Sequence, residues 1–399
     1  TMNVDEKFLS SLYENLDADV RHMVDQAVQS IVTAKNRGGQ VVVVTGSGPN
    51  LHEGVTTLIA ELINKGIVDG VTTSSAVVAH EMSGVLDEVK RVNGRDLGLS
   101  DDILPRGDIF ELSLLSDEWL KRLQMEMILD ADLMEKIKSM SGSVIIKAAG
   151  NMAYPMGLRT EILAKEILMI ARSHGLPFER VAGAGADPRT MLGAAYAAGK
   201  PLLVTVPQLI GGGWVGMAIG DSISISERCH RIANMMEEAA VIIESAVVLT
   251  QEIHDGPFET YTGHGIWSQW EGYSTYRLQN KTLIRIDLDP NLKSAWDFEH
   301  QSGEVQKAID QGMPKTKLMK IPFRMEMSGF CRLENSIPVI GDIGAIWPVM
   351  AFRIARGLGV ALDFISYPQQ TPQGQEMRKW IVDTIQPVDK QKLHRHSGK

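Results

Sequence analysis

The chain alternates short, wholly apolar segments with stretches of helical periodicity, and this alternation constrains its fold more than any other feature. The apolar segments are rich in β-branched residues and do not alternate with polar ones, so each is expected to be a strand covered on both faces. Strands of this kind, joined by helices, form parallel sheets. The predicted strands are VVVVT (41–45), GVTTS (70–74), SVIIKA (143–148), PLLVTV (201–206), AVIIESAVVL (240–249), TLIRIDL (282–288) and PVIG (338–341). The sequence therefore predicts a doubly wound α/β fold, with a mainly parallel sheet and helices on both faces.

The rest of the chain is expected to be arranged around this α/β unit. Residues 1–38 carry apolar side chains at helical spacing and predict an N-terminal helical extension. Irregular stretches near 94–140 and 300–335 are expected to be insertions in a domain that covers 39–360. Residues 361–399 are expected to be a C-terminal extension that ends in a solvated, frayed basic tail.

Composition limits the classes of partner. The 399 residues carry a formal net charge of -9, so the basic footprint needed for nucleic-acid binding is absent. The two cysteines, Cys229 and Cys331, are too few for a disulfide framework and wrongly spaced for a thiolate zinc site. No apolar stretch approaches the ~18 residues of a membrane span, and the start is not a secretory signal. We expect a cytoplasmic protein with a small-molecule substrate and no membrane partner.

Glycine-rich and polar loops follow the predicted strands. Ligands of open α/β sheets bind beyond the carboxyl ends of the strands, where helix N-termini present unpaired N–H groups. The loops GSGPNLHEG (46–54) and PQLIGGGWVG (207–216) contain glycines that allow close approach of the backbone to a pyrophosphate. Asp287, at the end of a predicted strand, is suited to accept hydrogen bonds from ribose hydroxyls. The first loop lacks the G-x-G-x-x-G fingerprint, because Leu51 stands where the third glycine would fall.

Two His-Glu pairs, His52-Glu53 and His80-Glu81, follow the first two predicted strands. An imidazole with a pKa near ~6.5 exchanges protons at neutral pH, and an adjacent carboxylate can orient it. The alternative for each histidine is burial in a hydrogen-bonded niche. For Glu53 it is a place in the first turn of a helix, where the macrodipole favours an acid. If neighbouring strands deliver both pairs to one edge of the sheet, the pairs face a bound cofactor together.

The segment EIHDGPFETYTGHGIWSQW (252–270) is longer than common connections, which favours a functional loop or an oligomer contact. It supplies Glu259 and His264 as candidate acid/base groups. Its histidines and acids, with the two His-Glu pairs, are also ligand types for a divalent metal. A metal-dependent hydrolase or lyase is therefore one alternative, although no H-E-x-x-H spacing is present. A non-catalytic nucleotide-binding protein is another.

Five segments occur in an order that resembles the NAD-binding domain shared by archaeal-type ornithine cyclodeaminases and the LOR/SDH conserved domain. They are VTGSGPNLHEGVTTLIAELINKGIVDGVTTSSAVVAHEMSGVL, KPLLVTVPQLIGGGWVGMAIGD, AAVIIESAVVLTQEIHDG, LIRIDLDPN and PVIGDIGAIWP. The chain is more distantly similar to deoxyhypusine synthase. The resemblance implies NAD as cofactor, a homo-oligomer (dimer or tetramer), and an amino-acid or polyamine-like substrate oxidised transiently at a nitrogen-bearing carbon.

The resemblance and the loops together predict individual site residues. His80 is expected to carry the proton and Glu81 to partner it or contact a substrate ammonium, while His52 matches a loop histidine of the cyclodeaminase pattern. Glu259 or His264 is expected to be a second acid/base. The predicted NAD contacts are Ser47, Gly48, Asn50, Leu51, Thr72, Thr73, Ser74, Gly212, Gly213, Asp287, Leu288 and Asp342. The nucleophilic lysine of the synthase has no counterpart near 263–272, and no metal ligand is predicted.

Overall fold

The structure is a computed structural model that describes residues 4–398 with internal gaps. The gaps are 47, 105–106, 150–152, 207–208, 247–279, 289, 291–292, 295, 298–302, 304–306, 308–309 and 314–333. The strands of the described residues are β1 (Gln40–Thr45), β2 (Gly70–Thr73), β3 (Leu86–Asn93), β4 (Ile109–Ser113), β5 (Ser143–Ala148), β6 (Leu202–Val204), β7 (Ala239–Ser245), β8 (Thr282–Asp287) and β9 (Ser336–Ile340).

Helices connect and cover these strands. They are α1 (Glu6–Glu14), α2 (Ala18–Asn36), α3 (Pro49–His52), α4 (Val55–Asn64), α5 (Ser75–Met82), α6 (Asp117–Glu126), α7 (Ala131–Ser139), α8 (Met156–His174), α9 (Phe178–Gly185), α10 (Met191–Ala198), α11 (Trp214–Ser222), α12 (Ile225–Glu238), α13 (Ile343–Leu358) and α14 (Pro372–Thr384). None of the helices in the described ranges has the length and apolar character needed to cross a bilayer.

The main sheet has six parallel strands in the order β6-β2-β1-β7-β8-β9. The chain builds one half outward from β1 and then returns to the other side of β1 to build the second half. This is the 3-2-1-4-5-6 order of doubly wound sheets, whose ligand crevice opens where the order reverses. Here that point lies between β1 and β7, where Thr45 is paired with Ser245. The predicted fold class is confirmed.

Both faces of the sheet are covered, which is why its strands read as continuous apolar runs. Val41 and Val43 of β1 face the larger core, which includes helices α2, α4 and α13. Val42 and Val44 face a second core formed with α12, to which Ile232 and Met236 contribute. A strand with only one covered face would have alternated polar and apolar side chains.

The segment SVIIKA was predicted in the main sheet and instead forms β5 of a separate, antiparallel sheet in the order β4-β3-β5. Its first residues are exposed, so its apolar composition does not report burial on two faces. Its partner β3 was missed because LDEVKRVN is rich in charge, and both of its faces carry buried as well as exposed residues. Only β4 of this small sheet lies within the predicted insertion near 94–140, together with α6 and α7, whereas β3 and β5 lie on either side of it in the sequence.

Both ends of the described chain pack against the domain. Helix α2 buries Val24, Ala27 and Ile31 in the core that also contains β1. At the other end, α14 contacts β3 and β5. Leu393, in the segment expected to be a solvated tail, is fully buried against α9, where a Cβ on Gly185 would come within 2.9 Å of the leucine side chain.

Candidate functional site

The loop after β1 lies at the point where the strand order reverses, and a buried hydrogen-bond chain fixes it there. The Trp347 indole donates to Ser245 Oγ (2.8 Å), which donates to Asn50 Oδ1 (2.6 Å). Ser245 is the last residue of β7 and Asn50 lies in α3, which follows β1. These hydrogen bonds therefore join the two halves of the sheet. All three side chains are fully buried. Asn50 is thereby held at the mouth of the crevice.

Gly48 gives this loop its shape. Its φ of 64° and ψ of -111° belong to a region that is open only to glycine. No atom of the described residues lies within 4 Å of the position that a Cβ would occupy. The backbone at Gly48 therefore faces open space at the carboxyl edge of the sheet, as close approach by a phosphate group requires.

Several buried polar atoms at this edge have no hydrogen-bond partner within the described part of the chain. They include Asn50 Nδ2, Thr45 Oγ1 and Thr73 Oγ1. Because Val44 pairs with Thr72, the side chains of Thr45 and Thr73 stand side by side on neighbouring strands. Buried polar groups are nearly always satisfied, and an unsatisfied one costs about 1–3 kcal/mol. These three atoms are therefore suited to form hydrogen bonds with a polar ligand.

The GGG loop packs against the start of α5. A Cβ on Gly212 would lie 2.8 Å from the carbonyl carbon and oxygen of Ser75, so only glycine fits. Gly213, with φ 59° and ψ -133°, precedes α11 in a conformation like that of Gly48. Ser74 caps α5 by accepting from the Val77 amide (3.2 Å). The predicted cofactor residues after β2 and β6 are thus neighbours in space.

A basic cluster lies beside this edge, formed by His52, His80, Lys147 and Arg378. Arg378 Nη2 is 3.4 Å from His52 Nδ1 and also donates to the carbonyl of Ile146. Lys147 of β5 pairs with Glu111 and acts electrostatically on both histidines. His80 is close enough to His52 for the two to influence each other. The two histidines therefore share one region, as the sequence predicted.

The environment keeps both imidazoles neutral. Burial, followed by electrostatic interaction with His52 and Lys147, lowers the pKa of His80 to about 4. Burial, then Arg378 and Lys147, also lowers the pKa of His52. The Nδ1 atom of His80 is buried without a partner among the described residues. A neutral imidazole with an unoccupied nitrogen can accept a proton or a hydrogen bond.

The two glutamates have structural contacts. Glu81 accepts from the amides of Met191 (2.8 Å) and Leu192 (2.9 Å), at the start of α10. Glu53 accepts from the backbone and side-chain nitrogens of Gln369 (2.7 and 2.8 Å). Its carboxylate lies against the first turn of α13, since a Cβ on Gly344 would clash with Glu53 Oε2. Glu53 itself lies between α3 and α4 and not in the first turn of a helix. A catalytic role for Glu81 stays a prediction.

Three residues that were predicted to contact NAD lie at the ends of β8 and β9, in the second half of the sheet, and they differ in burial and partners. Asp287 is buried and lies 3.4 Å from Arg285, which also pairs with Glu244 (3.1 Å). Leu288 is exposed. Asp342 caps α13 by accepting from the Gly344 amide (3.0 Å).

Leu51 packs in the hydrophobic core, so only its backbone can face the crevice. Ser47, Glu259 and His264 lie outside the described residues. Within the ranges that the structure describes, no group of three or more histidine, cysteine or acidic side chains is arranged to hold a metal ion. The described residues therefore contain no set of metal ligands that would support a metal-dependent hydrolase or lyase.

Sequence reasoning missed Lys147 and Arg378. Lys147 had a detectable signal, since a lysine interrupts the otherwise apolar SVIIKA just before a glycine-containing loop. Arg378 had none, because it is 326 positions from His52 along the chain. Only the docking of α14 beside the small sheet brings its guanidinium to the histidines.

The solved structures that are similar to this chain share little sequence identity with it. No protein-family model matches the sequence, and no curated protein gives a significant match. AgrE, in a ternary complex with ornithine and NAD+, is 13% identical, with a TM-score of 0.41 over 86% of this chain and 34% of AgrE. ArgZ, an arginine dihydrolase from the ornithine-ammonia cycle in cyanobacteria, is 10% identical, with a TM-score of 0.40 over 84% of this chain and 32% of ArgZ.

A conserved protein named for LOR/SDH from Methanococcus maripaludis S2 is 10% identical, with a TM-score of 0.38 over 86% of this chain and 71% of the other. The chain spans about a third of the length of AgrE and ArgZ. A LOR/SDH-type protein is thus among the similar structures, and the resemblance to deoxyhypusine synthase stays a prediction.

Proposed function

We propose that this protein is an NAD-dependent enzyme that acts on an amino-acid substrate by transient oxidation at a nitrogen-bearing carbon, as a cyclodeaminase or synthase does. The observation that carries the proposal is the crevice between β1 and β7, where the strand order reverses beside a glycine-formed loop and buried polar atoms that have no partner among the described residues. Crevices at this position of 3-2-1-4-5-6 sheets bind dinucleotides.

The residues at the crevice fit the cofactor. Gly48 offers backbone without a side chain in the way, and Asn50 Nδ2 and Thr45 Oγ1 are polar atoms that still need partners. We assign phosphate contacts to the loop of Gly48 and Asn50, and contacts to the rest of the dinucleotide to the strand ends at Thr73 and Asp287. NAD, when bound, would supply the hydride acceptor for this chemistry.

The basic cluster supports an amino acid rather than a polyamine as substrate. Arg378 places positive charge beside neutral His52, and Lys147, although paired with Glu111, acts on both histidines. Positive charge attracts a carboxylate and repels the ammonium groups of a polyamine. In this proposal Arg378 binds the substrate carboxylate, and neutral His80 accepts a proton from the substrate nitrogen or from an attacking group.

Cofactor binding tests the proposal directly. We expect mass spectrometry of the denatured protein to detect released nicotinamide dinucleotide, or calorimetry to detect NAD binding to the emptied protein. Gly48→Ala should weaken the affinity at least tenfold, because its Cβ would enter the space assigned to phosphate. Gly66→Ala is the matched control, since Gly66 has a φ of 72° and open space around its Cβ position but follows α4, away from the carboxyl edge.

Three results would refute the proposal. Release of a metal without a dinucleotide would favour a hydrolase or lyase. Tight NAD binding without oxidation of any amino acid would indicate a nucleotide-binding protein without catalysis. Equal NAD affinities of Gly48→Ala and the unmodified protein would show that the cofactor, if bound, lies elsewhere.

A further inference from the structure

A cavity of about 500 Å³ lies at the free edge of the main sheet, which is formed by β6. Helices α9 and α10 line one side of the cavity, and α12 lines the other. Since α10 belongs to the larger core and α12 to the core on the opposite face of the sheet, the cavity wraps around the edge strand. We call it the β6 cavity. Strands β2 and β1 separate it from the crevice between β1 and β7.

The backbone of Leu202 in β6 faces away from the sheet. Successive residues of a parallel strand direct their N–H and C=O groups alternately to one side and to the other. Pro201 accepts a hydrogen bond from the Val71 amide of β2 (3.0 Å), so the groups of the next residue, Leu202, point to the free edge. Neither group has a hydrogen-bond partner among the described residues. Leu202 lines the β6 cavity and therefore presents one donor and one acceptor side by side.

A buried ion pair covers the next outward-facing residue of the edge, Val204. Its amide donates to Glu179 Oε1 (2.8 Å), and its carbonyl accepts from Arg228 Nη1 (3.1 Å). The two charged side chains contact each other and are fully buried. Within β6 an added peptide strand could therefore pair with Leu202 alone. Recognition of a peptide at a sheet edge needs several consecutive main-chain hydrogen bonds, so this edge is suited to a small molecule.

Positive charge lines one wall of the β6 cavity. The guanidinium carbon of Arg180 lies 5.5 Å from the centroid of the Tyr196 ring, and Arg180 forms no ion pair with the described residues. Lys200 pairs with Asp69 (2.9 Å), but Asp69 also pairs with Lys35 (2.7 Å) and compensates only part of the charge of the two lysines. This wall therefore attracts an anion.

The remaining lining is mostly apolar. Leu192 and Ala195 of α10 and Met235 of α12 supply apolar surface. Arg231 and Glu238 of α12 carry opposite charges, so the positive balance of the other wall is unchanged. Sites for small molecules commonly combine an apolar lining with a few fixed polar groups, at volumes of ~300–1,000 Å³. The β6 cavity has both the size and the lining of such a site.

We propose that the β6 cavity binds a small organic anion whose apolar body carries a hydrogen-bond donor next to an acceptor. The donor and acceptor pair with the C=O and N–H of Leu202, the anionic group pairs with Arg180, and the body packs against Met235. The edge of a nucleobase in a nucleoside monophosphate has this chemistry. So do the N–H and a carboxylate oxygen of an extended N-acyl amino acid. The proposal stands independently of the proposed reaction.

Calorimetry of the full chain with adenosine monophosphate and with N-acetylleucine tests the site and distinguishes the two sources of this chemistry. We expect one of them to bind with a dissociation constant below ~1 mM. Arg180→Met should weaken that binding about tenfold by removing the ion pair, and Asn234→Trp should abolish it by filling the cavity. Both side chains are exposed, so thermal melts should be unchanged. Arg172→Met and Gln124→Trp, at exposed helical positions outside the cavity, are the matched controls.

Two further measurements locate the ligand. Hydrogen exchange of the Leu202 amide should slow when the ligand binds, and Gly48→Ala should leave the affinity unchanged because its loop lies at the other edge of the strands. Failure of both probes to bind would overturn the proposal. So would equally tight binding of inorganic phosphate, an unchanged affinity in both cavity variants, or a loss of affinity in Gly48→Ala without a loss in Arg180→Met.

Discussion

Replacing Glu81 by glutamine distinguishes a helix-capping role from a catalytic one. The carboxylate is completely buried and, within the described part of the chain, accepts from two groups, the amides of Met191 and Leu192. Burial raises the pKa of Glu81 from its ordinary value of 4.5 to about 7, against the lowering effect of the two hydrogen bonds. The charged form is therefore costly in the folded protein, and the cost depends on pH.

The size and sign of the contribution of Glu81 to the free energy of unfolding follow from proton linkage. Between pH 4.5 and about 7 the folded protein binds the Glu81 proton more tightly than the unfolded chain does, so this group's contribution is fully present below pH 4.5 and is lost as pH rises through about 7. At about 1.4 kcal/mol per pKa unit, the loss is roughly 3 kcal/mol. Glutamine cannot ionise, but its NH2 group would face one of the two amides and forfeit a hydrogen bond, at a cost of about 1–3 kcal/mol.

Urea unfolding of both proteins at acidic and at mildly alkaline pH measures this difference. At acidic pH Glu81→Gln should be less stable than the unmodified protein, and at alkaline pH the gap should shrink by roughly 3 kcal/mol or reverse. Glu135→Gln, at an exposed site, removes one charge without touching a buried group and serves as control. A gap that is constant with pH would refute the reasoning. Unchanged NAD affinity in Glu81→Gln is expected for a cap.

Three further predictions follow from the site. His80 affects stability in the opposite direction to Glu81. Because its pKa is lowered to about 4, the free energy of unfolding falls by roughly 3 kcal/mol as pH falls from about 6.5 to 4. His80→Gln should remove this acid-induced loss of stability in urea unfolding. Arg378→Met should raise the pKa of His52 by removing a neighbouring positive charge, which an NMR titration would detect as a midpoint at higher pH; an unmoved midpoint would contradict the observed contact. Gly344→Ala should lower the free energy of unfolding by about 1–3 kcal/mol because its Cβ would meet the Glu53 carboxylate, whereas Gly220→Ala, with its nearest neighbour at 3.7 Å, should be neutral or stabilising.

The predicted and observed folds agree for the strands that are buried on both faces of the sheet. The strands of the main sheet are covered on both faces, so their composition alone identified them. The misplacement of SVIIKA has the same origin, because an apolar run does not say which sheet it joins. The neighbourhood of His52 and His80 followed from parallel strands, whose carboxyl ends meet at one edge.

The sequence by itself determined the α/β class and the loops that carry the polar groups, because strand burial and turn chemistry are local properties of a few consecutive residues. Only the tertiary structure decided what each polar group contacts. The carboxylate of Glu81 turns to α10 while the imidazole of the preceding residue faces the basic cluster, and Arg378 reaches that cluster from a distant helix. Such contacts depend on how whole elements dock, and residues far apart in the chain provide both partners.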